Sequence, residues 1–243
     1  MKIKLTVEYD GTEYCGWQIQ PNGITIQQRL NEAVMAITGE QAQVTGSGRT
    51  DSGVHAEGQV AHFETSSSIP PERMAPALNS ALPSDIRVLK SEAVDDEFHA
   101  RFCAKKKTYR YKMYLSDTIR PLKDRYSVQI AYPVDILRMK AAAVEFVGTH
   151  DFSAFMSSGS EVKDTVRTVY SAEVVFCGDE ITFTVCGNGF LYNMVRIMAG
   201  TLVDAGVGKL SVEDVKAAVS GADRSKAGKT MPARGLTLIS VEY

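Results

Sequence analysis

The stretch GSGRTDSGVHAEG, residues 46–58, lies in the first half of the chain and is too rich in glycine to form the interior of a helix. Glycine stands at positions 46, 48, 53 and 58, between charged residues that include Arg49, Asp51 and His55. The stretch is therefore predicted to be a loop that carries charged side chains. We expect strands on both sides of it.

Strand and helix patterns lie on either side of this loop. Residues 3–9 alternate apolar and polar side chains, which predicts a half-buried strand that ends at Asp10 and Gly11. Thr25 and Gln28 have the spacing of a capping box, so a helix is predicted to begin at residue 26 and to end before Gly39. A second helix is predicted around 72–81, and strands at 59–64 and 86–90.

The second half of the chain repeats this mixture of elements. Its predicted elements are a strand at 108–115, a helix capped by Asp135 and ended by Gly148, strands at 169–176 and 181–186 joined by a turn, a helix at 191–205, a helix capped by Ser211, and a strand at 236–243. These patterns predict an α+β protein with two similar halves that share a sheet. The predicted halves are residues 1–103 and 104–243.

Composition and cysteine usage exclude several classes of protein. With 44% hydrophobic residues among 243, the chain can bury a large core. No apolar stretch approaches the ~20 residues that span a bilayer, and the alternating amino terminus is unlike a signal peptide. The four cysteines form no C-x-x-C pair and no metal-ligand spacing with the histidines. We therefore expect a cytoplasmic protein with no membrane segment and no structural zinc site.

Charge is informative only in its distribution. The 27 basic and 29 acidic residues give no overall support for nucleic-acid binding. Six basic residues and no acidic one lie between positions 101 and 112, namely Arg101, Lys105, Lys106, Lys107, Arg110 and Lys112. Such a run alone is typical of a solvated face, but tyrosines lie within this one, and aromatic side chains among basic residues are a common feature of RNA-binding surfaces.

Asp51 has two interpretations that the loop sequence alone does not separate. Asp-Ser-Gly is ordinary turn chemistry. However, Arg49 lies two residues away, where a guanidinium can keep a carboxylate ionised, and the glycines allow a ligand to approach the backbone closely. A loop carboxylate held between strands is also a common arrangement in active sites.

Motifs along the whole chain resemble those of the tRNA pseudouridine synthase A family. They are GRTDSGVHA at 48–56, YDGT at 9–12 with GWQ at 16–18, GQVAHF at 58–63, FHARF at 98–102, KTYRY at 107–111, NGFLYNMVR at 188–196, and ARGLTL at 233–238 followed by VEY at 241–243. The resemblance implies α/β-sandwich halves of the RNA-recognition or ferredoxin-like type, which share one mostly antiparallel sheet with an active-site cleft between them. Ser52 stands where the family commonly has alanine, and Cys103 where it commonly has serine.

The same resemblance implies roles for particular residues. Asp51 would be the catalytic carboxylate, Arg49 would position RNA, and Tyr109 would stack on the target uracil. Arg196 would be the basic partner of Asp51, and Leu236 would line the pocket. The basic residues Lys105, Lys106, Lys107, Arg110 and Lys112 would hold the RNA backbone. From pattern alone, Tyr109 fits a core strand position and Arg196 fits the margin of an apolar helix face. His55, as a loop histidine, and His62 are interpreted as structural.

The implied activity is conversion of uridine to pseudouridine in the tRNA anticodon stem-loop, at about positions 38 to 40, by a homodimer. This reaction implies no metal and no cofactor, because a single carboxylate could act as a nucleophile on the sugar or as a base that forms a glycal. Two rivals remain at this stage. One is a non-catalytic RNA-binding module, and the other is a glycosidase or nucleosidase in which Glu57 supplies a second carboxylate.

Overall fold

The computed structural model describes residues 1–159, 162–221 and 223–243, and the chain divides into two compact units. The first unit comprises Met1–Lys105 with Thr237–Tyr243, and the second comprises Lys106–Leu236. Within the described residues, no helix is long and apolar enough to cross a membrane. The predicted halves, 1–103 and 104–243, were defined by the similarity of their element patterns. That division stays a prediction.

The first unit is built on four neighbouring strands. Its elements are β1 (Lys2–Tyr9), α1 (Ile26–Thr38), β2 (Thr45–Gly46), β3 (His55–Glu64), α2 (Met74–Ala81), β4 (Ile86–Val94) and, at the carboxyl end, β10 (Leu236–Glu242). The strand order is β4–β1–β3–β10. β1 runs antiparallel to both β3 and β4, and β10 runs parallel to β3. The predicted alternation of β1 is confirmed, since Ile3, Leu5 and Val7 are fully buried.

The second unit contains the remaining elements. They are β5 (Lys106–Leu115), α3 (Pro121–Asp124), β6 (Val128–Ile130), α4 (Ile136–Val144), β7 (Gly148–Asp151), β8 (Val166–Cys177), β9 (Glu180–Gly187), α5 (Met194–Gly206) and α6 (Val212–Gly221). The order β5–β9–β8–β7 is antiparallel throughout, and β6 adds in parallel to β5. α4 packs on α5 and α6. The predicted α+β class with mostly antiparallel pairing is confirmed.

Three predicted helix details are wrong, each for a local reason. Thr25 accepts a hydrogen bond from the Gln28 amide (3.3 Å), but the Gln28 side chain donates to Glu32, so the capping box forms only half. α4 ends at Val144 because residues 145–147 tighten into i→i+3 turns before Gly148. α5 begins at Met194 and not at 191, because Asn193 has a φ of 63° that no helix interior accepts.

A buried histidine on β3 connects this strand to the segment after β4. The Ala100 amide donates to Nδ1 of His62 (3.2 Å). Burial holds the pKa of His62 below its ordinary value, and the neighbouring His99 and Lys2 lower it further, while Glu64 acts in the opposite direction. Protonating His62 would therefore place a charge in a buried site and remove the acceptor for Ala100.

We expect the protein to lose stability as the pH falls below 6.5, the ordinary pKa of histidine. In that range the unfolded chain takes up a proton that folded His62 resists, so the free energy of unfolding decreases with falling pH. His62→Asn keeps an acceptor near the Nδ1 position and cannot ionise, so its Tm should depend less steeply on pH. Thermal unfolding followed by circular dichroism between about pH 7 and pH 5 measures this. Equal slopes for both proteins would contradict it.

Candidate active site

The loop that carries Asp51 connects β2 to β3, and its first half is fixed by Gln59 of β3. The Ser47 amide donates to the Val60 carbonyl (2.7 Å), and the Ser47 hydroxyl donates to Oε1 of Gln59 (2.6 Å). The side-chain nitrogen Nε2 of Gln59 in turn donates to the Gly48 carbonyl (3.1 Å). Ser47 and Gln59 are fully buried, so the chain enters the loop along a fixed path.

Thr50, directly before Asp51, is held from the opposite side. Its carbonyl accepts a hydrogen bond from the Trp17 amide (3.0 Å), and its hydroxyl lies 2.8 Å from the Tyr9 hydroxyl. Burial raises the pKa of Tyr9 to about 12, so this phenol stays neutral at physiological pH. The first contact comes from the segment that follows β1 and the second from Tyr9, the last residue of β1, so the GWQ and YDGT motifs support the loop.

The residues after Asp51 are anchored on Tyr14. The Tyr14 carbonyl accepts from the Gly53 amide (3.3 Å) and from the Ser52 hydroxyl (3.1 Å). The Val54 amide closes the turn by donating to the Asp51 carbonyl (3.1 Å). Ser52, which replaces the common alanine, thus adds a hydrogen bond to the loop. The Asp51 side chain is half-buried and that of Arg49 is exposed.

Two glycines allow the supporting segment to approach this closely. Gly16 has a φ of 81°, and a Cβ at this position would overlap the Thr50 carbonyl oxygen and lie 3.1 Å from the Asp51 carbonyl carbon. A Cβ on Gly11 would overlap the Val54 carbonyl oxygen. Real Cβ atoms do not approach backbone atoms so closely, so both glycines are required by the packing of the Asp51 loop.

His55 is the first residue of β3, so its predicted place in the loop is wrong. Its Nδ1 lies 3.1 Å from Oδ1 of Asp10, and its side chain is only 5% exposed. The same carboxylate oxygen accepts from the Thr12 amide (3.0 Å) and hydroxyl (2.6 Å). The pair connects the turn after β1 to the strand that follows the Asp51 loop, which is a structural arrangement.

Tyr109 lies on β5 in the second unit, opposite Val185 of β9. Tyr111 and Met113 follow it on the same face and are fully buried, whereas Tyr109 is only half-buried. Its ring contacts Phe190 edge to face, with centroids 5.2 Å apart and an interplanar angle of 84°. Tyr109 therefore lies at the edge of the buried face of β5 and is only partly covered.

Arg196 lies in the first turn of α5, and its guanidinium has defined partners. Nε donates to the Met231 carbonyl (2.7 Å), and Nη1 donates to the side-chain oxygen of Asn193 (2.6 Å). These bonds orient the guanidinium, whereas a snorkelling arginine would end in solvent. Leu236 begins β10 and is 6% exposed.

The basic residues predicted to hold RNA do not form one row. Lys105 lies in the first unit, and Lys106, Lys107, Arg110 and Lys112 lie on β5 in the second. Arg110 and Lys112 face the same side of the sheet, opposite Thr184 and Thr182 of β9. Lys107 shares the face of Tyr109, so the run divides between the two faces of β5.

The residues that support the predicted site were not among the site residues expected from the sequence. Gln59, Tyr14 and Trp17 hold the Asp51 loop, Phe190 contacts Tyr109, and Asn193 orients Arg196. Most lie inside the motifs quoted above, so position within a motif was the available signal. Among the described residues, no group of histidine, cysteine, aspartate or glutamate is arranged to hold a metal ion.

Comparison with known proteins gives one family along nearly the whole chain. The family model for tRNA pseudouridine synthase matches residues 5–103 and 142–243. A tRNA pseudouridine synthase A of Ruminiclostridium cellulolyticum is 49% identical over 243 residues, covering 100% of this chain and 99% of that protein. The protein of the same name from Bacillus subtilis is 46% identical over 245 residues, covering 100% and 99%. A chain in the crystal structure of an archaeal box H/ACA sRNP Nop10–Cbf5 complex is 12% identical, with a TM-score of 0.38 over 92% of this chain and 59% of that one.

Proposed function

We propose, from the premise that this chain belongs to the tRNA pseudouridine synthase family, that it isomerises uridines of the tRNA anticodon stem-loop with Asp51 as its catalytic carboxylate. Membership makes the chain an isomerase that acts on uridine in tRNA. By analogy with the family, the targets are at about positions 38 to 40 of tRNA. The observation that carries the assignment to Asp51 is the loop itself, which is hydrogen-bonded before and after this residue and leaves Asp51 half-buried.

The reaction needs one carboxylate and no external reactant. The bond between C1′ of the ribose and N1 of uracil breaks, the base rotates, and C1′ bonds to C5. The proton on C5 leaves, and N1 gains a proton. Asp51 would act as a nucleophile at C1′ or as a base at C2′ that forms a glycal. A primary deuterium isotope effect at C2′ is expected only for the second route, because only that route breaks the C2′–H bond.

The second unit would supply base and RNA contacts. The target base must leave its stack, which costs about a few kcal/mol of free energy. Stacking on an aromatic ring such as Tyr109 would stabilise the unstacked base by about 1–3 kcal/mol. The accessible part of the Tyr109 ring supports this role. Arg196, oriented by Asn193 and Met231, is proposed as the cationic partner of the carboxylate, and Leu236 as an apolar wall of the pocket.

RNA would be held by the basic residues and by pairing of two chains. Arg49 is exposed beside Asp51 and suits contact with a phosphate or the target nucleotide. We assign backbone contacts to Lys105, Lys106, Lys107, Arg110 and Lys112. We further propose a cytoplasmic homodimer in which residues 1–103 and 104–243 form two similar halves. None of these assignments requires a metal or cofactor.

Release of tritium from C5 of labelled uridine in a tRNA transcript tests the activity. We expect the protein to release tritium to water, because forming the carbon–carbon bond must expel the hydrogen on C5. Transcripts with single uridines replaced by cytidine then identify the target positions. Release of free uracil without loss of C5 tritium would instead indicate a hydrolase and would contradict the proposed function.

A further inference from the structure

An exposed aromatic side chain lies in the turn that connects β4 to β5, within the first unit. Phe102 is 77% exposed, and the turn that carries it, residues 98–103, contains the FHARF motif. The proposed reaction gives this side chain no role. An isolated exposed phenylalanine is common on protein surfaces, so the case for a binding function rests on how the turn is built.

The turn is held rigidly from inside. Nδ1 of His99 accepts hydrogen bonds from the Arg101 amide (3.1 Å) and the Phe102 amide (3.3 Å). Ala100, which lies between His99 and Arg101, is fully buried. Its amide donates to His62 (3.2 Å), and its carbonyl accepts from the Tyr243 hydroxyl (2.8 Å). The Cys103 amide, directly after Phe102, donates to the His99 carbonyl (3.0 Å). The backbone is therefore held on both sides of Phe102, and the exposed ring is presented in a defined position.

The neighbours of the ring give it a specific chemistry. The His99 and Phe102 rings lie 4.3 Å apart with an interplanar angle of 32°, which is close to stacking. The Arg101 guanidinium carbon lies 5.7 Å from the Phe102 centroid. With both neighbours in place, most of the Phe102 surface still faces solvent. A flat π surface beside an exposed arginine is the arrangement that binds bases of single-stranded nucleic acid.

We propose that Phe102, supported by His99 and Arg101, is a stacking platform for an unpaired base of the tRNA substrate, in addition to the roles assigned to Asp51 and Tyr109. The proposal rests on the proposed function, which makes tRNA the ligand. Charge favours RNA as the occupant: the acidic residues 95–97 end before Phe98, and residues 98–105 carry Arg101 and Lys105 with no acidic side chain. The platform contributes affinity and position, and no chemistry.

Phe102→Ala should weaken binding of a full-length tRNA transcript about tenfold, the effect of losing one stacked base. Filter binding measures Kd, and single-turnover tritium release measures the maximal rate, which should change less than about twofold because the reacting groups are untouched. Phe102→Trp should restore Kd, whereas Phe102→Leu should not, because leucine keeps apolar surface without a π face. Leu122→Ala, which removes a 98% exposed apolar side chain from α3, is the matched control and should bind as wild type.

Salt dependence separates stacking from phosphate contact. Phe102→Ala should leave the slope of log Kd against log salt unchanged. Arg101→Gln should reduce that slope by about 1, the value for the loss of one phosphate contact. A purely structural role for Phe102 would instead lower Tm and change Kd for all three variants alike. Equal loss in Phe102→Trp and Phe102→Ala would therefore overturn the platform.

Two further outcomes are decisive. If Phe102→Ala binds tRNA as wild type but shifts the molar mass measured by light scattering, the ring packs on a second copy and the platform is overturned. If wild type releases no tritium yet Phe102→Ala still weakens tRNA binding, the proposed function fails and the platform stands. The binding measurement does not depend on turnover, so the two failures are distinguishable.

Discussion

Asp51→Asn is expected to reduce pseudouridine formation by about 10³-fold or more while tRNA binding stays within a few-fold of wild type. Asparagine has the shape of aspartate but is neither a nucleophile nor a base. The bonds that shape the loop involve the Thr50 and Asp51 carbonyls and the Gly53 amide, which the substitution leaves in place. Single-turnover tritium release and filter binding of the same transcript measure the two effects.

Glu57→Gln is the matched control for Asp51→Asn. Glu57 is the acidic residue nearest to Asp51 in the sequence, lies on β3 and is exposed. If Asp51 acts alone, Glu57→Gln should retain activity, whereas a glycosidase with two carboxylates would lose it. A non-catalytic RNA-binding module would form no product in any variant. Full retention of activity by Asp51→Asn would refute its role.

The fold class was predictable because the elements carry strong local signals. The alternation of β1, the Thr25 and Asp135 caps, and the turn at Gly178 with a φ of 62° all lie where the sequence indicates. The errors lie at the ends of helices, where single backbone conformations and short local turns decide the boundary. The start of α5 depends on the left-handed backbone of Asn193, whose side chain donates to Ser157 and accepts from Arg196.

The candidate site was predictable only in part, because its support comes from distant parts of the chain. Asp51 stands out through glycine, aspartate and arginine in one short loop. The contact of Gln59 with Gly48 spans 11 residues, and that of Ser52 with Tyr14 spans 38. No periodicity encodes such contacts. His55 was likewise assigned to the loop because the glycines nearby hide that its β3 strand begins at this residue.

Gly16→Ala should be the most disruptive change outside the reacting groups. Alanine at a φ of 81° costs about 1–2 kcal/mol, and overlap of its Cβ with the Thr50 carbonyl adds about 1–3 kcal/mol or displaces the loop. A displacement of about 1 Å at a catalytic group can cost about 100-fold in rate. We therefore expect the maximal rate of tritium release to fall by about 100-fold, with a lower Tm.

Gly39→Ala isolates the part of this effect that belongs to the Asp51 loop. Gly39 ends α1 with a φ of 74°, and a Cβ there would meet no atom within 4 Å. Its substitution carries the same backbone strain without the collision, so Tm should fall by an amount that corresponds to about 1 kcal/mol while the rate stays that of wild type. The two variants are compared at a temperature where circular dichroism shows both to be folded. Because strain is common to both, a rate loss confined to Gly16→Ala must come from the contact with Thr50 and Asp51, and equal rates in the two variants would show that the loop tolerates displacement.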